Sequence, residues 1–338
     1  MLYCSNFEQY KLVMNLVILF GGGDLMASIL TKLKKNKNYC PFVIVSKRHI
    51  REKVLKHGTF FKFLKKSKID FIVAKKIDYL FLANKIKNHN SIGISLGSPW
   101  IFNSKIIELF NNRLYNIHSS NLPEDRGGGG FSWQILQGKI DMFMTLHNVL
   151  EKIDDGKIII QKKISLKKDK SPLERQILYV KVATHQFMKN LKNLFNSKKI
   201  KGKKQDNTKA TYWPRINTEI HGWIDWNWDG HDIYKFIKAF DNPYYGAHTQ
   251  IEKKTYYLKN CIFVKAKKKF HPFQSGIIFN KTKNYILISV NGGVLKVKEV
   301  FNSKRKKVNF INIKLGQRFH TSFNKLEKAK KTRVFFNL

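Results

Sequence analysis

The chain has 338 residues, 43% hydrophobic and 13% aromatic, enough for two domains with real cores. Its 64 Lys and Arg against 23 Asp and Glu leave a net charge of +41, which fits a nucleic-acid partner and fits equally a lysine bias spread along the whole chain, so charge alone assigns no substrate. Cys4, Cys40 and Cys261 form no Cys-x-x-Cys pair, so neither a zinc site nor a disulfide framework is indicated and a reducing cytoplasm fits; no apolar run reaches membrane-span length, so no membrane is expected as a partner.

Residues 15–20 predict a buried first strand rather than a signal-peptide core, because Gly21-Gly22-Gly23-Asp24 turns the chain into a helix over 25–34. Met14 is a second candidate start, with 1–13 an extension. The turn lacks the full dinucleotide fingerprint: position 26 is Met, and Asp24 opposes a phosphate. It therefore predicts tight helix packing and no nucleotide cofactor. Further strands are predicted over 42–46, 71–74 and 91–96, a basic surface segment over 47–56, an amphipathic segment over 60–66 and a helix over 80–88. This alternation predicts an α/β fold with an open, mostly parallel sheet. Ser95-Leu96-Gly97-Ser98-Pro99 ends the fourth strand in a loop with accessible backbone, where ligands of such sheets lie.

An apolar segment over 107–114 leads into Asn116-Ile117-His118, read as a strand end. Alternation puts Asn116 and His118 on one face and Ile117 in the core. A carboxamide donor beside an imidazole suits oxyanion stabilisation and proton acceptance. Arg126 and the four glycines after it form a loop without Cβ atoms, against whose N–H groups a substrate can lie. Residues 131–138 predict a helix with Trp133 and Leu136 inward, 143–149 a strand carrying His147, 157–164 another strand and 172–196 a long helix. Asp154 and Asp155 stand side by side before Gly156; a carboxylate near His118 would orient the ring and relay protons.

A polar, basic linker over 198–207 is read as the boundary between a unit over 1–200 and a second over 208–325. In the second, a helix over 231–240 has Ile233, Phe236, Ile237 and Phe240 on one face. Short strands over 255–264, 275–280, 286–290 and 294–300, with a turn at Asn291-Gly292-Gly293, predict a small OB-like β-barrel. Residues 325–331 read as a solvated basic tail.

Asn116-Ile117-His118, Leu122-Pro123-Glu124-Asp125-Arg126-Gly127, Trp133-Gln134-Ile135-Leu136-Gln137-Gly138 and Asp154-Asp155-Gly156 succeed one another in a specific order. In this the chain resembles the 10-formyltetrahydrofolate-dependent formyltransferases, which include methionyl-tRNA formyltransferase, glycinamide ribonucleotide formyltransferase and the sugar-nucleotide N-formyltransferases. The resemblance is strong over 92–158 and looser over 211–321. It implies a Rossmann-like catalytic domain, 10-formyltetrahydrofolate as co-substrate and no metal. It implies Asn116, His118 and Asp154 as catalytic residues; Asp155 is read as a solvated neighbour. Ser95, Leu96, Gly97, Ser98, Pro99 and Asp154 would hold the folate, and Arg126, Gly127, Gly128 and Gly129 the acceptor. His147 is expected to take no catalytic part.

The segment Val45-Ser46-Lys47-Arg48-His49-Ile50-Arg51-Glu52 is basic but lacks the Gly-rich insert of the tRNA enzymes, and Gly21-Gly22-Gly23-Asp24 departs from their Gly-Thr-Pro turn. The stretch from Arg126 to Trp133 looks more like the enzymes acting on amino sugars. A nucleotide-linked amino sugar is therefore the expected acceptor, with Met-tRNA the alternative that the charge sustains. A formyltetrahydrofolate hydrolase and a non-catalytic nucleic-acid-binding protein are remoter alternatives; the latter leaves Asn116, His118 and Asp154 unexplained. A homodimer is compatible with the resemblance.

Overall fold

Asn15–Gly21 (β1) is a continuous apolar run because both faces of the strand are covered. Leu16, Ile18 and Phe20 pack on one side with Phe102 and Phe110, while Val17 and Leu19 pack on the other with Leu30 and Phe187. The computed structural model describes residues 15–55, 57–128, 130–166, 169–196, 200–265 and 270–335; Cys4, the extension 1–13, Gly129 and Lys198 lie outside the described residues.

After β1 come Gly23–Leu33 (α1), Tyr39–Val45 (β2), Lys47–Arg51 (α2), Phe60–Lys66 (α3), Asp70–Val73 (β3), Tyr79–Ile86 (α4), Asn90–Leu96 (β4) and Ser104–Glu108 (α5). Leu114–His118 (β5), Phe131–Leu136 (α6), Asp141–Asn148 (β6), Ile158–Ser165 (β7) and Pro172–Leu194 (α7) come next. The seven strands form one sheet in the order β7-β6-β5-β4-β1-β2-β3. The first five are parallel, and β6 runs antiparallel to both β5 and β7. Strand order reverses between β1 and β4, which opens a crevice at their carboxyl ends. Helix α7 starts in a capping box, with Ser171 and Glu174 exchanging hydrogen bonds and Pro172 in the first turn. Its buried stripe is Arg175, Tyr179, Ala183, Phe187, Leu191 and Leu194.

Thr218–His221 (α8) and Gly230–Ala239 (α9) open the C-terminal part. Ala247–Ile251 (β8), Lys254–Lys265 (β9), Ile278–Lys281 (β10), Ile286–Val290 (β11) and Gly293–Asn302 (β12) form an antiparallel sheet in the order β8-β9-β12-β11-β10. Its two edges are joined: His320 bridges to Gln250 in β8, and Arg318 to Ile277 beside β10. The sheet thereby rolls into the expected barrel, with Ile233, Ile237 and Phe240 of the α9 segment in its core. Phe323–Lys331 (α10) is the last helix among the described residues.

Some local expectations give way to tertiary contacts. The segment over 47–56 is not all surface: His49 is buried, and its Cβ would be 2.7 Å from one placed on Gly22. On α6 the buried residues are Ser132, Gln134 and Ile135, while Trp133 is half-buried against Trp213. The linker is pinned where Lys203 bridges to Ile158 and Gln205 is buried. Residues 325–331 belong to helix α10, which packs on α8, rather than to a solvated tail.

Candidate active site

The crevice between β1 and β4 opens into a cleft of about 930 Å³. Its floor is the Gly21-Gly22 turn and the loop that succeeds β4, joined by a hydrogen bond from Gly22 N to the Leu96 carbonyl. Ser95, Leu96, Gly97, Ser98 and Pro99 all line it. Helix α2 buttresses this floor from behind. The His49 ring contacts the Gly97 backbone, and its pKa is pushed down to about 3 by burial first and then by Arg48 and Arg215. Asp24 accepts hydrogen bonds from Leu55 N and from the Gln176 side chain.

Strand alternation places Asn116 and His118 in the cleft and buries Ile117. The antiparallel pairing sets Asn116 directly opposite His147 and His118 opposite Thr145. The His147 Nδ1–H donates to the Asn148 carbonyl at 2.7 Å, so in the neutral ring Nε2 is an acceptor. Asn116 Nδ2 lies 3.1 Å from that Nε2 and 3.3 Å from Asp154 Oδ1. The His118 Nε2–H donates to the Asp125 carbonyl at 2.9 Å, which leaves Nδ1 as the proton-accepting atom, 3.8 Å from Asp154 Oδ2. His147 Nε2 is 3.4 Å from Asp154 Oδ1.

Asp154 is the hub of this cluster. It sits in the left-handed region at φ 52°, a conformation that Asp and Asn tolerate better than other non-glycine residues. Burial alone would raise its pKa. When the rings are protonated, the charge of His118 and the Nε2–H bond and charge of His147, together with the Gly127 N–H, outweigh burial and hold it well below the usual carboxylate range. The Gly127 N–H donates to Oδ2 at 2.9 Å. Gly127 has φ 82°, and a Cβ there would stand 2.4 Å from the Tyr212 ring, so no other residue brings this N–H to the carboxylate without displacing Tyr212.

The acceptor-side residues divide. Gly127 and Gly128 line the cleft, and Gly129 lies outside the described residues. The Arg126 guanidinium binds Asp155 at 2.7 Å, Gln205 at 2.8 Å and Asn207 at 2.8 Å. Asp155 is thus held in an ion pair rather than left in solvent. Gln205 also donates to the carbonyls of Asp154 and Gly156, both at 2.7 Å, and so clamps the loop that presents the carboxylate. Residues 126–127 pair in parallel with 212–213, and the Trp133 indole N–H donates to the Pro214 carbonyl at 2.7 Å, so the second domain's first segment forms a cleft wall.

Sequence reasoning missed the place of His147, Gln205, Arg215 and the C-terminal residues 333–335, which also line or support the cleft. The signal for Gln205 was faint: an uncharged polar residue in a run of lysines. His147 needed the antiparallel register, which no local pattern encodes.

The family model described as "Formyl transferase" matches residues 14–186, and "Formyl transferase, C-terminal domain" matches 217–317. The chain is 25% identical over 291 residues, 84% of its length and 91% of the relative's, to methionyl-tRNA formyltransferase of Caldicellulosiruptor saccharolyticus. It is 28% identical over 241 residues to the bifunctional polymyxin resistance protein ArnA of Wigglesworthia glossinidia brevipalpis, covering 70% of this chain and 34% of that one. Among solved structures it resembles WlaRD, a sugar 3N-formyl transferase crystallised with dTDP and 5-N-formyl-THF (TM-score 0.62, 23% identity, 85% of this chain and 97% of that one). It also resembles the N-formyltransferase of Helicobacter canadensis complexed with folinic acid and dTDP-3-aminofucose (TM-score 0.62, 21% identity, 84% and 99%). Matched in both halves, with Asn116, His118, Gly127, Trp133 and Asp154 gathered in one cleft, the chain belongs to the formyl transferase family.

Proposed function

We propose that this protein transfers the formyl group of 10-formyltetrahydrofolate to a primary amine, and that the amine belongs to a nucleotide-linked amino sugar. The observation that carries the reading is the cluster of Asn116, His118 and Asp154 in one cleft with the Ser95–Pro99 loop. The folate would lie along that loop, whose backbone is accessible at the sheet's switch point. The amine nitrogen attacks the formyl carbon, and negative charge gathers on the formyl oxygen. His118 Nδ1 accepts the proton leaving the amine, and the ionised Asp154 stabilises the imidazolium. As the intermediate collapses the C–N10 bond breaks, and N10 leaves with a proton returned from His118. Asn116 supplies the oxyanion donor by exchanging one of its two long contacts, to His147 or Asp154, for the formyl oxygen.

The sugar-nucleotide assignment is supported by the two sugar N-formyltransferases of similar fold, and by the absence of a Gly-rich insert after β2. Met-tRNA is the second reading, favoured by the methionyl-tRNA formyltransferase aligned over 84% of the chain and by the charge of +41. The test is turnover of 10-formyltetrahydrofolate with Met-tRNA in one reaction and a panel of nucleotide-linked amino sugars in others. Transfer to a sugar supports the first reading, and transfer to Met-tRNA alone replaces it with the second. Formate release without an acceptor would overturn both in favour of a hydrolase.

A further inference from the structure

The chain continues past the family match, which ends at residue 317, and residues 333–335 return to the cleft. Helix α10 is fixed on the second domain. Lys325 Nζ lies 3.9 Å from the Trp223 ring centroid, and Lys330 Nζ lies 3.8 Å from Asp225 Oδ2. At its end the His221 Nε2–H donates to the Thr332 carbonyl at 2.9 Å, while His221 Nδ1 accepts from Asn217 N at 2.8 Å. These bonds set the direction in which the chain leaves the helix. Arg333, Val334 and Phe335 then line the same cleft as Asn116, His118 and Asp154.

Arg333 is the chemically distinctive member. Its side chain is exposed, its guanidinium carbon lies 5.0 Å from the Phe335 ring centroid, and no described carboxylate stands within ion-pair distance of it. The other arginine lining the cleft, Arg215, lies in the field of both Arg48 and Glu52. The cleft carboxylates are held elsewhere, Asp24 by Leu55 and Gln176 and Asp154 by Gly127. Arg333 also lines a second cavity of about 500 Å³, which shares Trp133, Tyr212 and Pro214 with the main cleft. A planar guanidinium with five donors and no acidic partner matches a phosphate.

We propose that the C-terminal segment 332–335 forms part of the acceptor-binding site and that Arg333 binds a phosphate of the acceptor. The inference rests on the proposed acceptor carrying phosphate, which a nucleotide-linked sugar and a tRNA both do. Its test is calorimetric binding of inorganic pyrophosphate, dTDP and an RNA hairpin ending in CCA. The proteins are the full chain, Arg333→Gln, Arg333→Lys and a chain ending at Thr332, with 5-formyltetrahydrofolate as the control ligand. Arg333→Gln is expected to weaken pyrophosphate binding roughly tenfold, with Arg333→Lys intermediate and folate binding within about twofold of the full chain. A parallel loss for dTDP assigns the phosphate to a nucleotide, and a parallel loss for the hairpin alone assigns it to RNA. With an acceptor that turns over, Arg333→Gln raises its KM and leaves kcat unchanged.

Two results would overturn the proposal: a full chain that binds none of the three probes, or an Arg333→Gln variant that binds all of them like the full chain. Either is separable from failure of formyl transfer. Binding through Arg333 without turnover would leave the phosphate site standing and remove the reaction, and turnover without Arg333-dependent binding would do the reverse.

Discussion

Replacing Asp154 by Asn tests the proposed chemistry most directly. The substitution keeps the side-chain shape and a residue type that accepts φ 52°, so the loop is not forced to move. It removes the charge that faces His118 Nδ1 at 3.8 Å and His147 Nε2 at 3.4 Å. With an effective dielectric near 20, a unit charge pair at the longer distance is worth roughly 4 kcal/mol. If the imidazolium of His118 is well developed in the transition state, that corresponds to about three decades in rate. Hydrogen bonds from the new amide recover part of it, so a fall in kcat of about a hundred- to a thousandfold is expected. The assay is spectrophotometric formation of tetrahydrofolate with the acceptor that turns over, beside a thermal melt of each protein. A variant with wild-type Tm and kcat within about threefold of wild type would refute the role assigned to the carboxylate.

Three further outcomes are expected from the same geometry. The folded pKa of Asp154 lies below its unfolded value of about 3.9. Its contribution to stability is therefore fully present above about pH 4 and lost as pH falls toward the folded pKa. Denaturant titrations of wild type and Asp154→Asn should give a stability difference that shrinks as pH falls below about 4; a difference that grows over that acid range contradicts the assignment. Gly127→Ala pushes a methyl into the Tyr212 ring at a left-handed position, so a loss of about 1–3 kcal/mol is expected in chemical denaturation, with lowered kcat. Gln205→Leu leaves the carbonyls of Asp154 and Gly156 without their donor; a loss of about 1–3 kcal/mol and a clear drop in kcat with little change in folate KM would be measured, and unchanged kinetics would mean that the clamp is dispensable.

What could be read in the sequence was local. The β1–turn–α1 opening, the alternation that brings Asn116 and His118 to one face, and the apolar face of α9 come from periods of two and 3.6 residues. The parts that were not legible depend on pairing at a distance. Strand β8 is buried at all five positions although His248, Thr249 and Gln250 are polar, and the closing segment pairs with two of them: Gln250 exchanges backbone hydrogen bonds with His320, and Thr249 donates to the same carbonyl. No alternation marks such a strand. His147 became part of the site only through the register of β6 on β5, and Asp155 left solvent only because Arg126 lies beside it in space. Asp154, the acid proposed to act, is singled out by its place two residues before Gly156 in the family pattern; a Cβ added to Gly156 would stand 1.8 Å from the Asn148 carbonyl oxygen.

The cleft draws its walls from opposite ends of the polypeptide, and this bears on when it first exists during synthesis. Its floor is made by residues 21–24, its reactive face by 116–154, and its outer wall by 212–216 and 333–335, each needing the next to complete it. A ribosome adds residues one at a time, at roughly 5–20 per second, so the sheet can assemble well before Gln205 arrives to clamp the Asp154 loop. A nascent chain released before residue 216 would carry Asn116, His118 and Asp154 and still lack a closed site. The cleft is thus completed late, when the second domain has docked with its C-terminal segment.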